Sequence, residues 1–170
     1  LLASSLAGNN TLKELTLSFN KLNDIDVELL AMGLRGNHSL DKLDLRANNI
    51  RDKGAIAMAE HLVPHTAIRQ LYLFGNPFRK EGSASLLKAI QNNFTMEVLN
   101  MDYNNSLYDS IQFYTYLNQA GRRILNHDNF NCALWPLLLE RAQSISERSH
   151  GICTHADIIF HLLHVPALQR

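Results

Sequence analysis

Thr11 to Leu22 reads TLKELTLSFNKL, which is L-x-x-L-x-L-x-x-N-x-L with Leu12, Leu15, Leu17, Asn20 and Leu22 in the marked places. The spacing returns in SLDKLDLRANNI, Ser39 to Ile50, on Leu40, Leu43, Leu45, Asn48 and Ile50. It returns again in AIRQLYLFGNPF, Ala67 to Phe78, on Ile68, Leu71, Leu73, Asn76 and Phe78. A fourth, weaker copy runs from Thr95 to Leu107: Met96, Leu99, Met101 and Asn104 fit, but Ser106 stands where an apolar residue belongs. The first apolar positions are 12, 40, 68 and 96, a step of 28 residues each time. A fixed period of this length marks a solenoid, in which no repeat can bury its apolar face alone.

In each L-x-L the two leucines alternate with polar residues and point to one face of a short strand. Stacked repeats pair these strands into a parallel sheet and bury Leu15, Leu17, Leu43, Leu45, Leu71 and Leu73 as one column. Asn20, Asn48, Asn76 and Asn104 fall where the strand turns away, and an amide there can satisfy backbone groups that lack a ladder partner. Helical spacing follows each strand: Val27, Leu30, Ala31 and Leu34 in Asp26 to Leu34; Ala55, Met58, Ala59 and Leu62 in Gly54 to Leu62; Ser83, Leu86, Leu87 and Ile90 in Gly82 to Ile90. Asp26 is a candidate N-cap, Gly54 and Gly82 suit a tight helix start, and Pro64 ends the second helix. Strands pack closer together than helices do, so the sheet is expected on the inner face.

The matched residues resemble the leucine-rich repeat family, and the repeat length resembles its ribonuclease-inhibitor-like subclass. The resemblance implies an α/β fold, a leucine-rich-repeat solenoid with a parallel inner sheet and outer helices, and a protein ligand on the concave sheet. The strand positions facing away from the leucines then form rows: Glu14, Lys42, Gln70, Val98; Thr16, Asp44, Tyr72, Asn100; Ser18, Arg46, Phe74, Asp102; and beside them Phe19, Ala47, Gly75, Tyr103. Polar residues belong on a solvated face, whereas large aromatics beside Arg and Asp have the composition of an interface centre. Phe19, Asp44, Arg46, Tyr72, Phe74, Asp102 and Tyr103 are therefore the candidate partner-binding residues. Arg46 is expected to touch Phe74, with Asp44 and Asp102 as flanking acids.

Leu2 and Leu6 align with Leu30 and Leu34 after a shift of 28, so residues 1–117 read as a partial repeat followed by four repeats starting near 12, 40, 68 and 96. Chain upstream of Leu1, or self-association through this end, is the expectation. From Asn118 the period is lost. Gly121 with Arg122 and Arg123 reads as a helix stop. A helix follows with Trp135, Leu138, Leu139, Ala142 and Ile145 as its apolar stripe, and Pro136 in its first turn. Ser144 to Gly151 reads as a loop or fraying end. Thr154 and Asp157 form a capping-box-like start, with Ala156, Ile159, Phe160 and Leu163 along one face. Two such helices hold too little core to stand alone, so residues 118–170 are expected to form an α-helical cap with Trp135 buried. This tail is similar to the C-terminal segment of leucine-rich-repeat proteins of diatoms, on Leu117-Asn118, Gly121-Arg122-Arg123, Leu134-Trp135-Pro136-Leu137, Leu139-Glu140-Arg141-Ala142 and Ile159-Phe160 with Leu162-Leu163.

Lys plus Arg equals Asp plus Glu at 16 each, which argues against a general nucleic-acid or anionic-membrane surface. The apolar run Ala133 to Leu139 is short and interrupted by Pro136, so no stretch spans a bilayer as a helix. Cys132 and Cys153 form no disulfide framework and are compatible with a reducing compartment, which makes a cytoplasmic location the expectation. His127, Cys132, His150, Cys153 and His155 could supply zinc ligands, but their spacing is not that of paired ligands, and no metal or other cofactor is expected. The phosphate-binding and metalloprotease motifs are absent, and a Cys-His pair lacks its orienting group. The chain thus reads as a non-enzymatic protein-interaction module. The alternatives are a regulator of a GTPase, since the same subclass includes activators of the Ran type, or a ligand-sensing fragment of a larger receptor.

Overall fold

The first leucine of each L-x-L stretch is the middle residue of a three-residue strand, and the strands stack in chain order. In this computed structural model residues 2–63, 67–103, 105–122, 135–152 and 154–163 are described. They fall into two units, Leu1–Ile111 and Gln112–Arg170, divided inside one helix. The elements are α1 (Leu2–Ala7), β1 (Glu14–Thr16), α2 (Asp24–Leu34), β2 (Lys42–Asp44), α3 (Asp52–Ala57) continued by a π-turn (Met58–Leu62), β3 (Gln70–Tyr72), α4 (Lys80–Asn92), β4 (Val98–Asn100), α5 (Tyr108–Gln119), α6 (Trp135–Arg148) and α7 (His155–Leu163).

The strands form a parallel sheet of order β1-β2-β3-β4. Leu15 pairs with Leu43, Leu43 with Leu71, and Leu71 with Leu99, one repeat apart at every step. Backbone bonds continue the ladder past the strands, from Leu45 N–H to Tyr72 O and from Ala47 N–H to Phe74 O. Leu43, Leu45, Leu71 and Leu73 are fully buried, together with Leu99 and Met101. Leu15 and Leu17 depart from the expected column and are half-buried, because β1 is paired on one side only.

Three columns of polar side chains tie neighbouring repeats together. Asn48 Nδ2 donates to Leu17 O at 2.9 Å and Leu45 O at 3.0 Å, and its Oδ1 accepts from Leu22 N–H. Asn76 repeats this one turn later, donating to Leu45 O and Leu73 O and accepting from Ile50 N–H. The expected structural role of this column therefore holds; Asn104 lies outside the described residues. The second column, Asn9, Asn37 and Asn93, closes the turns that lead back into β1, β2 and β4. The third is Asp24 and Asp52. Asp24 Oδ1 accepts from Arg51 and Gly54 N–H at the start of α3, and Asp52 Oδ1 accepts from Arg79 and Gly82 N–H at the start of α4. These carboxylates complement the exposed donors and positive dipole of a helix N-terminus. Lys80 stands in the next place, and Asn105 caps the start of α5 instead, accepting from Leu107 N–H while donating to Ser83 Oγ.

The helix starts differ in detail from their sequence reading. Asn23, not Asp26, caps α2; Asp26 closes a capping box by accepting Asn23 N–H at 2.9 Å. The second helix begins at Asp52 and widens into the π-turn, and Pro64 lies outside the described residues. Gly54 and Gly82, at the two helix starts, serve close packing. A Cβ on Gly54 would sit 2.7 Å from Asp24 Oδ1 and 2.8 Å from Ile50 Cγ2. Gly54→Ala is expected to destabilise by about 1–3 kcal/mol, the range for overpacking, as read by urea unfolding; an unchanged midpoint would argue against the Asp24 cap.

The second unit has its own core. Leu117, Ala120, Leu138, Ala142, Ile145, Ile158 and Leu162 are buried together, with Phe113, Tyr114, Tyr116, Trp135 and Ile159 packed around them. α5 thus adds a third helix to the two foreseen. α6 runs to Arg148 through much of the expected loop, and Leu139 and Phe160, assigned to apolar stripes, are exposed. On α7 the buried pair is Ile158 and Leu162, one position before the face chosen from sequence, because both faces of that helix carry apolar residues. Trp135 is half-buried. Thr154 and Asp157 cap each other as foreseen, and the Thr154 hydroxyl holds the Asp157 carboxyl below the ordinary aspartate value.

Candidate functional site

The sheet register sets the open face. Glu14, Lys42, Gln70 and Val98 form one row, and Thr16, Asp44, Tyr72 and Asn100 the next. Charges on these rows are paired across or along strands. Lys42 Nζ lies 3.0 Å from Glu14 Oε2. Arg46 forks onto Asp44, with Nη2 to Oδ2 at 2.6 Å and Nε to Oδ1 at 3.0 Å, while the Arg46 backbone N–H also donates to Oδ1. Tyr72 lies between these pairs. The Arg46 guanidinium is 5.4 Å and the Lys42 ammonium 5.9 Å from its ring centroid, within cation–π range. The Tyr72 hydroxyl donates to Gln70 Oε1.

Asp44 is 2% exposed. Its hydrogen bonds from the Arg46 side chain outweigh the cost of burial and hold its carboxyl below the ordinary aspartate value. A lowered folded-state value stabilises the fold above the unfolded aspartate pKa and loses that contribution as pH falls through the lowered value. The Asp44–Arg46 fork is therefore expected to survive mild acid; a carbon-detected NMR titration that finds an ordinary Asp44 pKa would contradict this.

The seven sequence candidates separate into two groups. Phe19, Phe74 and Tyr103 are 83%, 42% and 78% exposed, and Tyr72 is half-buried under the two cations. Phe19 has φ +56°, and Ala47 and Gly75 share this left-handed conformation one and two repeats on. It is uncommon for a bulky side chain and leaves the Phe19 ring in solvent. Asp44 and Asp102 are not free acids. Asp44 anchors Arg46, and Asp102 accepts Gly75 N–H at 3.2 Å. Arg46, expected against Phe74, is held on Asp44 and over Tyr72. A fourfold charge alternation, Lys13, Asp41, Arg69, Glu97, passed unnoticed in the sequence although its spacing is the repeat length; Arg69 bridges Asp41 at 2.7 Å and Glu97 at 3.5 Å.

One apolar surface was also missed. Ile25, Leu29 and Met32, at helical spacing on α2, are 67%, 57% and 54% exposed. The same positions of α3 and its π-turn carry Lys53, Ala57 and Glu60. Only the inward stripe of α2 was read from sequence, since inward residues carry the periodic signal.

Of the residues weighed for zinc, His127, Cys132 and Cys153 lie outside the described residues. Among the described residues no three His, Cys, Asp or Glu side chains come together as a metal site, and no helix is long and apolar enough to cross a membrane.

The stacked strand–helix units agree with comparisons to known proteins. A family model described as Leucine Rich repeat matches residues 8–31 and 36–59. A solved structure described as "Leiomodin-1 Actin-Binding Site 2 (ABS2)" superposes with a TM-score of 0.64 at 18% identity, covering 71% of this chain and 72% of that one. No curated protein matches the chain. The fold is an α/β leucine-rich-repeat solenoid with a helical C-terminal segment.

Proposed function

We propose that this chain is a non-enzymatic interaction module that binds a protein across the concave face of its sheet, with Tyr72 and Phe74 at the centre and Phe19, Arg46 and Tyr103 around them. The observation that carries this reading is the exposed Phe74 beside a Tyr72 ring already fixed under Arg46 and Lys42. A preorganised aromatic anchor loses little side-chain entropy on binding. Asp44 and Asp102 act in this reading as supports that fix Arg46 and the Phe74–Gly75 turn.

The repeat length and helical outer layer favour the ribonuclease-inhibitor-like subclass, and the tail's likeness to diatom leucine-rich-repeat proteins favours a helical cap. A reducing, cytoplasmic setting suits the two cysteines, and the half-buried Leu15 and Leu17 suit self-association through the first repeat. A GTPase regulator would call for a free arginine or an acidic cluster at a rim; Arg46 is held by Asp44, which favours the binding reading. The receptor-fragment reading has no comparable support. The neighbour's description as an actin-binding site makes actin the first defined protein to assay.

Because Lys42 and Arg46 are paired within the face, recognition is expected to be mainly apolar. Affinity for the captured partner should change little between low and physiological salt; a steep loss would mean that long-range charge carries the encounter. A photo-crosslinking residue at Phe74 should label the partner, and one at Leu29 should not. Labelling from Leu29 alone would move the site to the outer face.

A further inference from the structure

The second asparagine column also spells a modification signal. Asn9-Asn10-Thr11, Asn37-His38-Ser39 and Asn93-Phe94-Thr95 each read N-x-[ST], the acceptor triplet for asparagine-linked glycosylation. Such a triplet ordinarily marks a surface loop of a secreted protein, and the geometry here is the opposite. Asn37 is 4% and Asn93 7% exposed. Asn37 Nδ2 donates to Leu6 O at 2.8 Å and Asn9 O at 3.0 Å, while its Oδ1 accepts from Ser39 N–H, Leu40 N–H and the Ser39 hydroxyl. Asn93 Nδ2 donates to Val63 O at 2.6 Å, and its Oδ1 accepts from Thr95 N–H, Met96 N–H and the Thr95 hydroxyl. The Ser or Thr of each triplet is thus a turn partner of its own asparagine. Asn9 is half-buried at the first repeat, and Asn104-Asn105-Ser106 begins outside the described residues.

We infer that the Asn37 and Asn93 triplets are folding elements, closed to glycosylation once folded but open to it before, and that this chain is built to fold where no asparagine-glycosylating enzyme meets it. Glycosylation joins Nδ2 to the anomeric carbon of a lipid-linked sugar. The bond from that carbon to the lipid diphosphate breaks, and the lipid diphosphate and one amide proton leave. A sugar at Asn37 would displace one of the two Nδ2 donations and would have to occupy the space between α1 and the turn of the next repeat. In the unfolded chain nothing protects either amide, so transfer before folding would trap the chain. The inference goes beyond the binding reading and does not depend on it.

The test directs the full chain into the secretory pathway of a eukaryotic cell with a cleavable signal, with and without an inhibitor of lipid-linked oligosaccharide synthesis. The same chain made in the cytosol is the folded reference by near-ultraviolet circular dichroism. Without inhibitor the chain should be retained, with peptide mapping placing glycans on Asn37 or Asn93; with inhibitor it should be secreted folded. A Ser39→Ala, Thr95→Ala chain, which keeps both amides, should be secreted folded without inhibitor if its cytosolic form is folded. Secretion of folded wild type without inhibitor, whether Asn37 and Asn93 are occupied or bare, would overturn the inference. So would retention without glycan at either site, or retention in both arms.

Discussion

Replacing Leu45 with Ala is expected to lower the stability of the repeat unit by about 2–5 kcal/mol, the range for truncating a fully buried leucine. Leu45 is 0% exposed and sits in the middle of the leucine column. Its backbone N–H is held by Tyr72 O, and its carbonyl accepts from both Asn48 and Asn76. The backbone on either side is therefore fixed and cannot collapse into the cavity. Leu17→Ala removes the same atoms from a half-buried position just after β1, where water already reaches and less apolar area is re-exposed. Urea unfolding of the two variants should rank Leu45→Ala well above Leu17→Ala; equal losses would contradict the register.

Asn76→Ala should cost roughly 3 kcal/mol or more, because it strands the Leu73 carbonyl and the Ile50 N–H at about 1–3 kcal/mol each and takes one of the two bonds to Leu45 O, which Asn48 keeps. Leu45 O, Leu73 O and Ile50 N–H all bond the Asn76 amide, which is 5% exposed. A domain stable by only about 5–15 kcal/mol would feel that loss strongly. Asn20→Ala is the internal control. Asn20 donates to Leu17 O and Ser18 O from an exposed position, so water replaces it at little cost. A large loss at Asn20 and a small one at Asn76 would reverse the account of the column.

The strands and the leucine core were legible because a strict period placed Leu15, Leu43, Leu71 and Leu99 in one register before any pairing was known. The asparagine column was legible for the same reason. What escaped were interactions whose partners lie a repeat apart without sharing an apolar pattern. Asp24 capping α3 and Asp52 capping α4 are examples: each acts on the next repeat, whereas an N-cap is ordinarily sought within its own helix. On the open face alternation gave the rows that the strand register then aligned, but their charges could not be paired by it. Asp44 looked like a presented acid and is buried beneath Arg46. In the tail there is no period to follow, and both faces of α7 are apolar, so Ile158 and Leu162 could not be told from Ile159 and Phe160.

The central claim is that the open sheet face centred on Tyr72 and Phe74 binds the partner. It is tested most directly by capture from a lysate of the source cell with three baits in parallel: wild type, Tyr72→Ala with Phe74→Ala, and Leu29→Glu on the outer face. Neither Tyr72 nor Phe74 lies in the leucine core, so the double variant should unfold at nearly the wild-type urea concentration. Truncating anchor residues costs about 2 kcal/mol or more each, so the double variant should hold the partner at least about tenfold more weakly, while Leu29→Glu should hold it as wild type does. A folded double variant that retains full capture, with capture lost by Leu29→Glu, would contradict the claim.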